Sequence, residues 1–134
     1  MKSIRVLVAD DHESFRRSLL SFLRAQPGVE IVGEAADGVE AIDQAEKLHP
    51  DLVLMDLDMP GRDGFSATRE IKLRLPGTKV VILSMNGSSL YRSMAWQHSA
   101  DGFIDKYSLK HELLAFLYDE FSGREHVAAG VRVA

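Results

Sequence analysis

Four short stretches concentrate the groups that could do chemistry: Asp10-Asp11, Asp56 with Asp58 two positions on, Ser84, and Asp105-Lys106. Each closes an apolar run, at residues 4–9, 52–55, 80–83 and 102–104. If those runs share one sheet edge, several carboxylates, a hydroxyl and an ammonium converge there. Crowded carboxylates repel one another and need a counter-charge. Lys106 supplies one, and a hard divalent cation supplies the rest. A set of oxygen donors with few protein ligands suits Mg²⁺, which keeps several waters and completes its shell with phosphate oxygens. A carboxylate beside that cation can attack phosphorus and form an aspartyl phosphate. The Lys106 ammonium, the Ser84 hydroxyl and the metal would then stabilise the negative charge that spreads over the equatorial oxygens. Taken singly these residues mean little, since an Asp at a strand end is usually a turn former or helix cap. Asp105 is read as only that.

The elements that must position these groups alternate along the chain. A fifth apolar run occupies residues 29–35, and amphipathic stretches separate the runs. Phe15, Leu19, Phe22 and Leu23 share one helical face; Val39, Ile42 and Ala45 a second; Phe65, Thr68, Ile71 and Leu75 a third. Leu90, Met94 and Ala95 make a fourth, and Leu113, Leu114, Leu117 and Phe121 the last. Turns fall at Pro27-Gly28, Asp37-Gly38, His49-Pro50, Pro60-Gly61 and Pro76-Gly77. Ser108 is the expected N-cap of the final helix. Strict βα alternation implies a doubly wound α/β domain with a parallel five-stranded sheet and helices on both faces. Ligands on such sheets sit beyond the carboxyl ends of the strands, where the four chemical stretches fall.

The bulk properties suit one domain. The chain has 134 residues, 46% hydrophobic and 27% charged, with a net charge of −4. No apolar run is long enough to span a bilayer, and the segment before the first run leaves no room for a signal peptide. Without cysteine there is no disulfide, thiolate zinc site or Cys nucleophile. The acidic balance gives no electrostatic case for nucleic-acid binding by this chain alone. A cytoplasmic location is the default expectation. The expected organisation is a domain over residues 1–122 and a short tail or truncated linker over residues 123–134. The five histidines lack metal-ligand spacing and are read as surface residues, with His12 bordering the acidic pair.

These residues resemble the receiver domains of bacterial two-component response regulators. The likeness rests on Val8-Ala9-Asp10-Asp11-His12, on the stretch from Asp51 to Gly64 around Asp56, on Ser84, and on Ala100-Asp101-Gly102-Phe103-Ile104-Asp105-Lys106. It implies a flavodoxin-like strand order of 2-1-3-4-5. It implies that Asp56 is the phosphoacceptor, and that Asp11, Asp56 and the backbone carbonyl of Asp58 bind Mg²⁺ with Asp10 positioning the metal. Lys106 then contacts the phosphoryl group, and Ser84 and Phe103 form a switch pair in which Phe103 turns inward on phosphorylation. Asp10-Asp11-His12 with Phe15-Arg16 resembles the subclass usually fused to a LuxR-type helix-turn-helix. The implied partners are a sensor histidine kinase, a second receiver in a homodimer, and an output domain beyond the C-terminus.

Three positions depart from the family pattern. Tyr107 stands where many receivers have Pro, which excludes a cis-proline turn. Ser99 stands where Gly is common, at a cost of about 1 kcal/mol if the backbone there is left-handed. Met85 replaces a small residue after Ser84, where its bulk would restrict access. Trp96 lies opposite the Leu90, Met94 and Ala95 stripe and is expected outside the core, as a lone exposed aromatic or as a partner anchor. Two other functions compete. One is a receiver-like interaction module that is not phosphorylated. The other is a phosphatase of the haloacid-dehalogenase type, because Asp56-Leu57-Asp58 has its Asp-x-Asp spacing, although that motif normally closes the first strand rather than the third.

Overall fold

The computed structural model describes residues 3–121. The boundary expected near residue 122 and the tail after it lie outside the described residues. Five strands, β1 (Ile4–Ala9), β2 (Val29–Ala35), β3 (Leu52–Asp56), β4 (Lys79–Ser84) and β5 (Gly102–Asp105), alternate with helices. The helices are α1 (Glu13–Arg24), α2 (Gly38–Leu48), α3 (Gly64–Arg74), α4 (Ser89–Gln97) and α5 (Leu109–Phe121), the last preceded by a 3₁₀ turn at Lys106–Ser108. All strand pairs are parallel, and the order is β2-β1-β3-β4-β5. The three most uniformly apolar runs are the three central strands, as burial on both faces requires.

Alternation along each strand sorts the core into layers. Val6, Val8, Leu52, Leu54, Val81, Leu83 and Ile104 face α1 and α5, where Leu19, Leu20, Leu23, Leu113, Leu117 and Phe121 complete one cluster. Leu7, Ala9, Val53, Met55 and Val80 face Ala41, Ile42 and Ala45 of α2 and Ala67 and Ile71 of α3. Ile82 and Phe103 pack with Phe65, Ala95 and Ala100 in a third cluster beside α4. Two residues expected in the helical stripes lie outside: Val39 is 53% exposed and Leu90 is 64% exposed. Each is the second residue of its helix, in the turn that emerges at the strand ends before the helix lies down on the sheet. Trp96 is 60% exposed. His98 is not a plain surface residue: it stacks on Phe65 with ring centroids 5.3 Å apart, and its Nδ1 lies 2.8 Å from the Met94 carbonyl.

Helix starts are fixed by short polar side chains. The Asp37 carboxylate accepts from Glu40 N at 2.8 Å while Glu40 Oε1 accepts from Ala36 N at 2.8 Å, a reciprocal arrangement that satisfies otherwise orphaned amides. Asp63 accepts from Ser66 N for α3, and Ser88 from Tyr91 N for α4. The expected cap at Ser108 is displaced. The 3₁₀ turn already contains Ser108, and Asp105 caps that turn by accepting from Tyr107 N at 2.8 Å. A proline at 107 would lack that N–H.

Helix α4 ends in a Schellman arrangement. Ala100 N donates to Ala95 O and Ser99 N to Trp96 O, both at 3.0 Å, with Ser99 at φ 69°. This left-handed position favours glycine, and a side chain there is strained. Ser99→Gly should therefore stabilise the domain by about 0.5–1 kcal/mol. A urea titration should show a higher midpoint at unchanged slope; an unchanged or lower midpoint would contradict this account of the turn.

Candidate phosphoacceptor site

The carboxyl ends of β1, β3, β4 and β5 meet at one edge, and the register sets the depth of each group. Asp56 is the last residue of β3 and pairs with Leu83; Ser84 is the last of β4 and pairs with Asp105. Asp10 follows β1 directly, its amide donating to Ala35 O at 2.9 Å. The resulting burial is unusual for such polar groups: Asp10 is 0%, Asp56 3% and Ser84 2% exposed.

Lys106 answers part of the charge. Its ammonium lies 2.9 Å from Asp56 Oδ1 and 3.0 Å from Asp10 Oδ2, and 4.1 Å from the centre of the Phe15 ring. That ring covers the ammonium with an apolar, electron-rich face. The two carboxylates and the lysine thus form one coupled group. Burial pushes the Asp56 carboxyl up from an ordinary 3.8 to about 6; the Lys106 hydrogen bond opposes the rise, and the Asp10 and Asp11 charges add to it. Burial works against the Lys106 charge, but its hydrogen bonds to Asp56 and Asp10 outweigh that and raise it above its ordinary value.

Asp56 Oδ2 is buried with no hydrogen-bond partner. A desolvated carboxylate oxygen in that condition is a donor waiting for a cation. Asp10, Asp11, His12 and Asp56 each bring one candidate ligand atom, all within 4.8 Å of one another. The acidic trio and the orphaned oxygen fit a hard divalent ion. Asp58 is exposed, and its side chain is outside this group. Asp105 serves as the turn cap already described. Ser84 Oγ accepts from Asn86 N at 3.0 Å, which leaves its own proton free to donate. Met85 stands 57% exposed rather than packing down into the site. Phe103 is already buried, 7% exposed, beneath the Arg92 guanidinium at 4.9 Å. That is the inward position which the switch reading reserves for the phosphorylated domain.

Several supporting residues take roles beyond those their sequence positions imply. Phe15 reads as a core-facing member of a helical stripe, yet it also shields Lys106. Arg16 braces the acidic loop, with Nη1 donating to Asp10 O at 2.5 Å and Nε to Glu34 Oε1 at 3.0 Å. A side chain at Gly64 would bring a Cβ to 2.4 Å from Asp56 O. Only glycine lets the loop after β3 close against the acceptor strand, and the clue is its place after Pro60-Gly61. His12 was expected at the border of the site, and it lies within it.

A doubly wound domain with an acidic cluster and a lysine at its strand ends defines the receiver class of signalling proteins. The chain belongs to the response regulator receiver domain family, whose pattern matches residues 6–118. It is 44% identical over 110 residues to the response regulator protein VraR of Staphylococcus epidermidis, covering 81% of this chain and 50% of that relative. It therefore spans about half the length of that relative. The signal receiver domain of the response regulator NarL from Mycobacterium tuberculosis superposes with a TM-score of 0.85 at 32% identity, covering 92% of this chain and all of that one. A LuxR-family two-component response regulator from Aurantimonas sp. SI85-9A1 gives 0.85 at 30% identity over 99% of this chain and all of its own length. These likenesses agree with the LuxR-type subclass, and none supports the phosphatase or the unphosphorylated module.

The raised Asp56 value has a thermodynamic consequence. The folded state holds that proton more tightly than the unfolded chain does, so ionised Asp56 costs stability above pH 6. The cost fades as pH falls from about 6 towards 4. Asp56→Asn should stabilise the metal-free protein at pH 7.5 by about 1–3 kcal/mol, and the gain should shrink as pH falls below about 6. Equal stability of the two proteins at pH 7.5 would contradict the assigned burial cost.

Proposed function

We propose that this receiver accepts a phosphoryl group on Asp56 from the phosphohistidine of a sensor histidine kinase. The observation that carries the reading is the Asp56 carboxylate itself: buried, tied through one oxygen to Lys106, and unpartnered through the other. A carboxylate oxygen of Asp56 attacks phosphorus, the P–N bond to the donor imidazole breaks, and an acyl phosphate forms. Asp10, Asp11, Asp56 and the Asp58 carbonyl would hold Mg²⁺, which when bound neutralises the phosphoryl oxygens.

Lys106 balances the carboxylates before transfer and contacts the phosphoryl group after it. The free Ser84 proton is placed to donate to a phosphoryl oxygen. Drawing Ser84 towards the phosphoryl group couples the site to Phe103, because Ile82 and Phe103 are register partners packed in one cluster. The exposed Trp96 on α4 then lies on the face that changes, available to a partner or a second receiver. The domain acts as a switch that catalyses its own phosphorylation and slow dephosphorylation, in the cytoplasm with its donor kinase. No described helix is long and apolar enough to cross a membrane. Output falls to a further domain rather than to DNA binding by these residues.

Incubation with a small phosphodonor and Mg²⁺ should add one phosphoryl group, stable to mild acid and labile to hydroxylamine. Asp56→Asn should abolish labelling, and Lys106→Ala should slow it by about a hundredfold. Labelling that persists in Asp56→Asn would place the acceptor elsewhere.

A further inference from the structure

The proposed Mg²⁺ site needs oxygen donors, yet an imidazole stands among them. His12 Nδ1 lies 3.2 Å from Asp10 Oδ1, 3.2 Å from Asp11 Oδ1 and 4.0 Å from Asp56 Oδ2. Adjacent ligands of an ion with bonds of about 2.0–2.2 Å stand roughly 3 Å apart. The spacing of His12 to the acidic pair matches that figure. The backbone sets the ring there: His12 N donates to Asp10 Oδ1 at 2.8 Å. The ring is not engaged as a helix cap, although His12 occupies the N-cap position of α1. Within the same four-atom constellation, Asp56 Oδ2 is buried and lacks a hydrogen-bond partner.

We propose that His12 is a ligand that lets this site take a borderline transition ion of the Zn²⁺ type in addition to Mg²⁺. The inference rests on reading the acidic cluster as a cation site and adds a selectivity to it. Imidazole nitrogen is a good ligand for Zn²⁺ and a poor one for Mg²⁺, which keeps oxygen donors and water. Three carboxylates and His12 can supply Zn²⁺ with its usual four ligands, whereas Mg²⁺ uses the carboxylates and the Asp58 carbonyl without the imidazole. The two ions therefore compete for Asp10, Asp11 and Asp56, and His12 weights the competition towards Zn²⁺.

The test is calorimetric titration of the 134-residue chain with ZnCl₂ and, separately, MgCl₂, for the native protein, His12→Ala and Asp11→Ala. The His12 side chain is 63% exposed, so its removal should leave folding intact, which melting curves check. His12→Ala should weaken Zn²⁺ binding about tenfold or more while changing Mg²⁺ binding less than about twofold. Asp11→Ala should weaken both. The ¹⁵N resonances of the His12 ring should shift on Zn²⁺ addition and stay in place with Mg²⁺. Zn²⁺ binding that survives His12→Ala or Asp11→Ala unchanged would overturn the proposal, as would tighter Mg²⁺ binding in His12→Ala with no loss of Zn²⁺, the mark of a ring that merely pairs with carboxylates. His12-dependent Zn²⁺ binding without Mg²⁺-dependent labelling of Asp56 would support this proposal and remove the phosphoacceptor reading.

Discussion

The rest of this structure depends on keeping a carboxylate charged where water scarcely reaches it. Asp56 ends a strand buried along its whole length, beside the equally buried Asp10. Lys106 offsets part of the cost through two short contacts, but one ammonium does not balance Asp10, Asp11 and Asp56 together. The remainder appears as a raised Asp56 value and an unpartnered oxygen. A group so unsatisfied at rest gains most from a cation, which would also offset the charge of an incoming phosphoryl group. The same frustration that lowers stability favours cation binding, a trade expected where strain and unmet polarity gather at sites.

Topology decides which groups share that pocket. The order β2-β1-β3-β4-β5 sets β1 and β4 on either side of β3. The acidic loop and Ser84 therefore flank the acceptor, and Lys106 reaches in from the edge strand β5. Alternation along β5 sends Ile104 into the cluster under α1 and α5 and Phe103 into the cluster beside α4. A one-residue slip would exchange those faces and uncouple the buried aromatic from the site. The lysine is steadied by Phe15 of α1, whose ring lies 4.1 Å from the ammonium. Helix α1 thereby contributes to the chemistry without supplying a reactive group.

Much of this is legible in the residues. Period and turn chemistry locate all five strands, each to within a residue or so of its ends. The joint placement of Asp10, Asp11, Asp56, Ser84 and Lys106 also follows from the alternation of strands and helices. What escapes is decided by distance in space. Val39 and Leu90 satisfy a helical period but sit in first turns that the sheet does not cover. The histidines show no ligand spacing among themselves, and the approach of His12 to Asp56 joins two separate strand ends. Ser108 looks like a cap, yet the chain begins turning at Asp105. Phe15 is legible as apolar but not as the cover for an ammonium, since no local pattern reports what lies above a helix across a sheet edge.

The most direct measurement is an NMR titration of the Asp56 side-chain carboxyl carbon, with and without millimolar Mg²⁺. Without the cation, Asp56 should titrate near pH 6; with it, the midpoint should fall by about a unit or more, as expected when a divalent charge favours the ionised form. A midpoint near 4 that ignores Mg²⁺ would contradict the account, for Asp56 would then be an ordinary solvated carboxylate with no unmet charge for a cation to relieve.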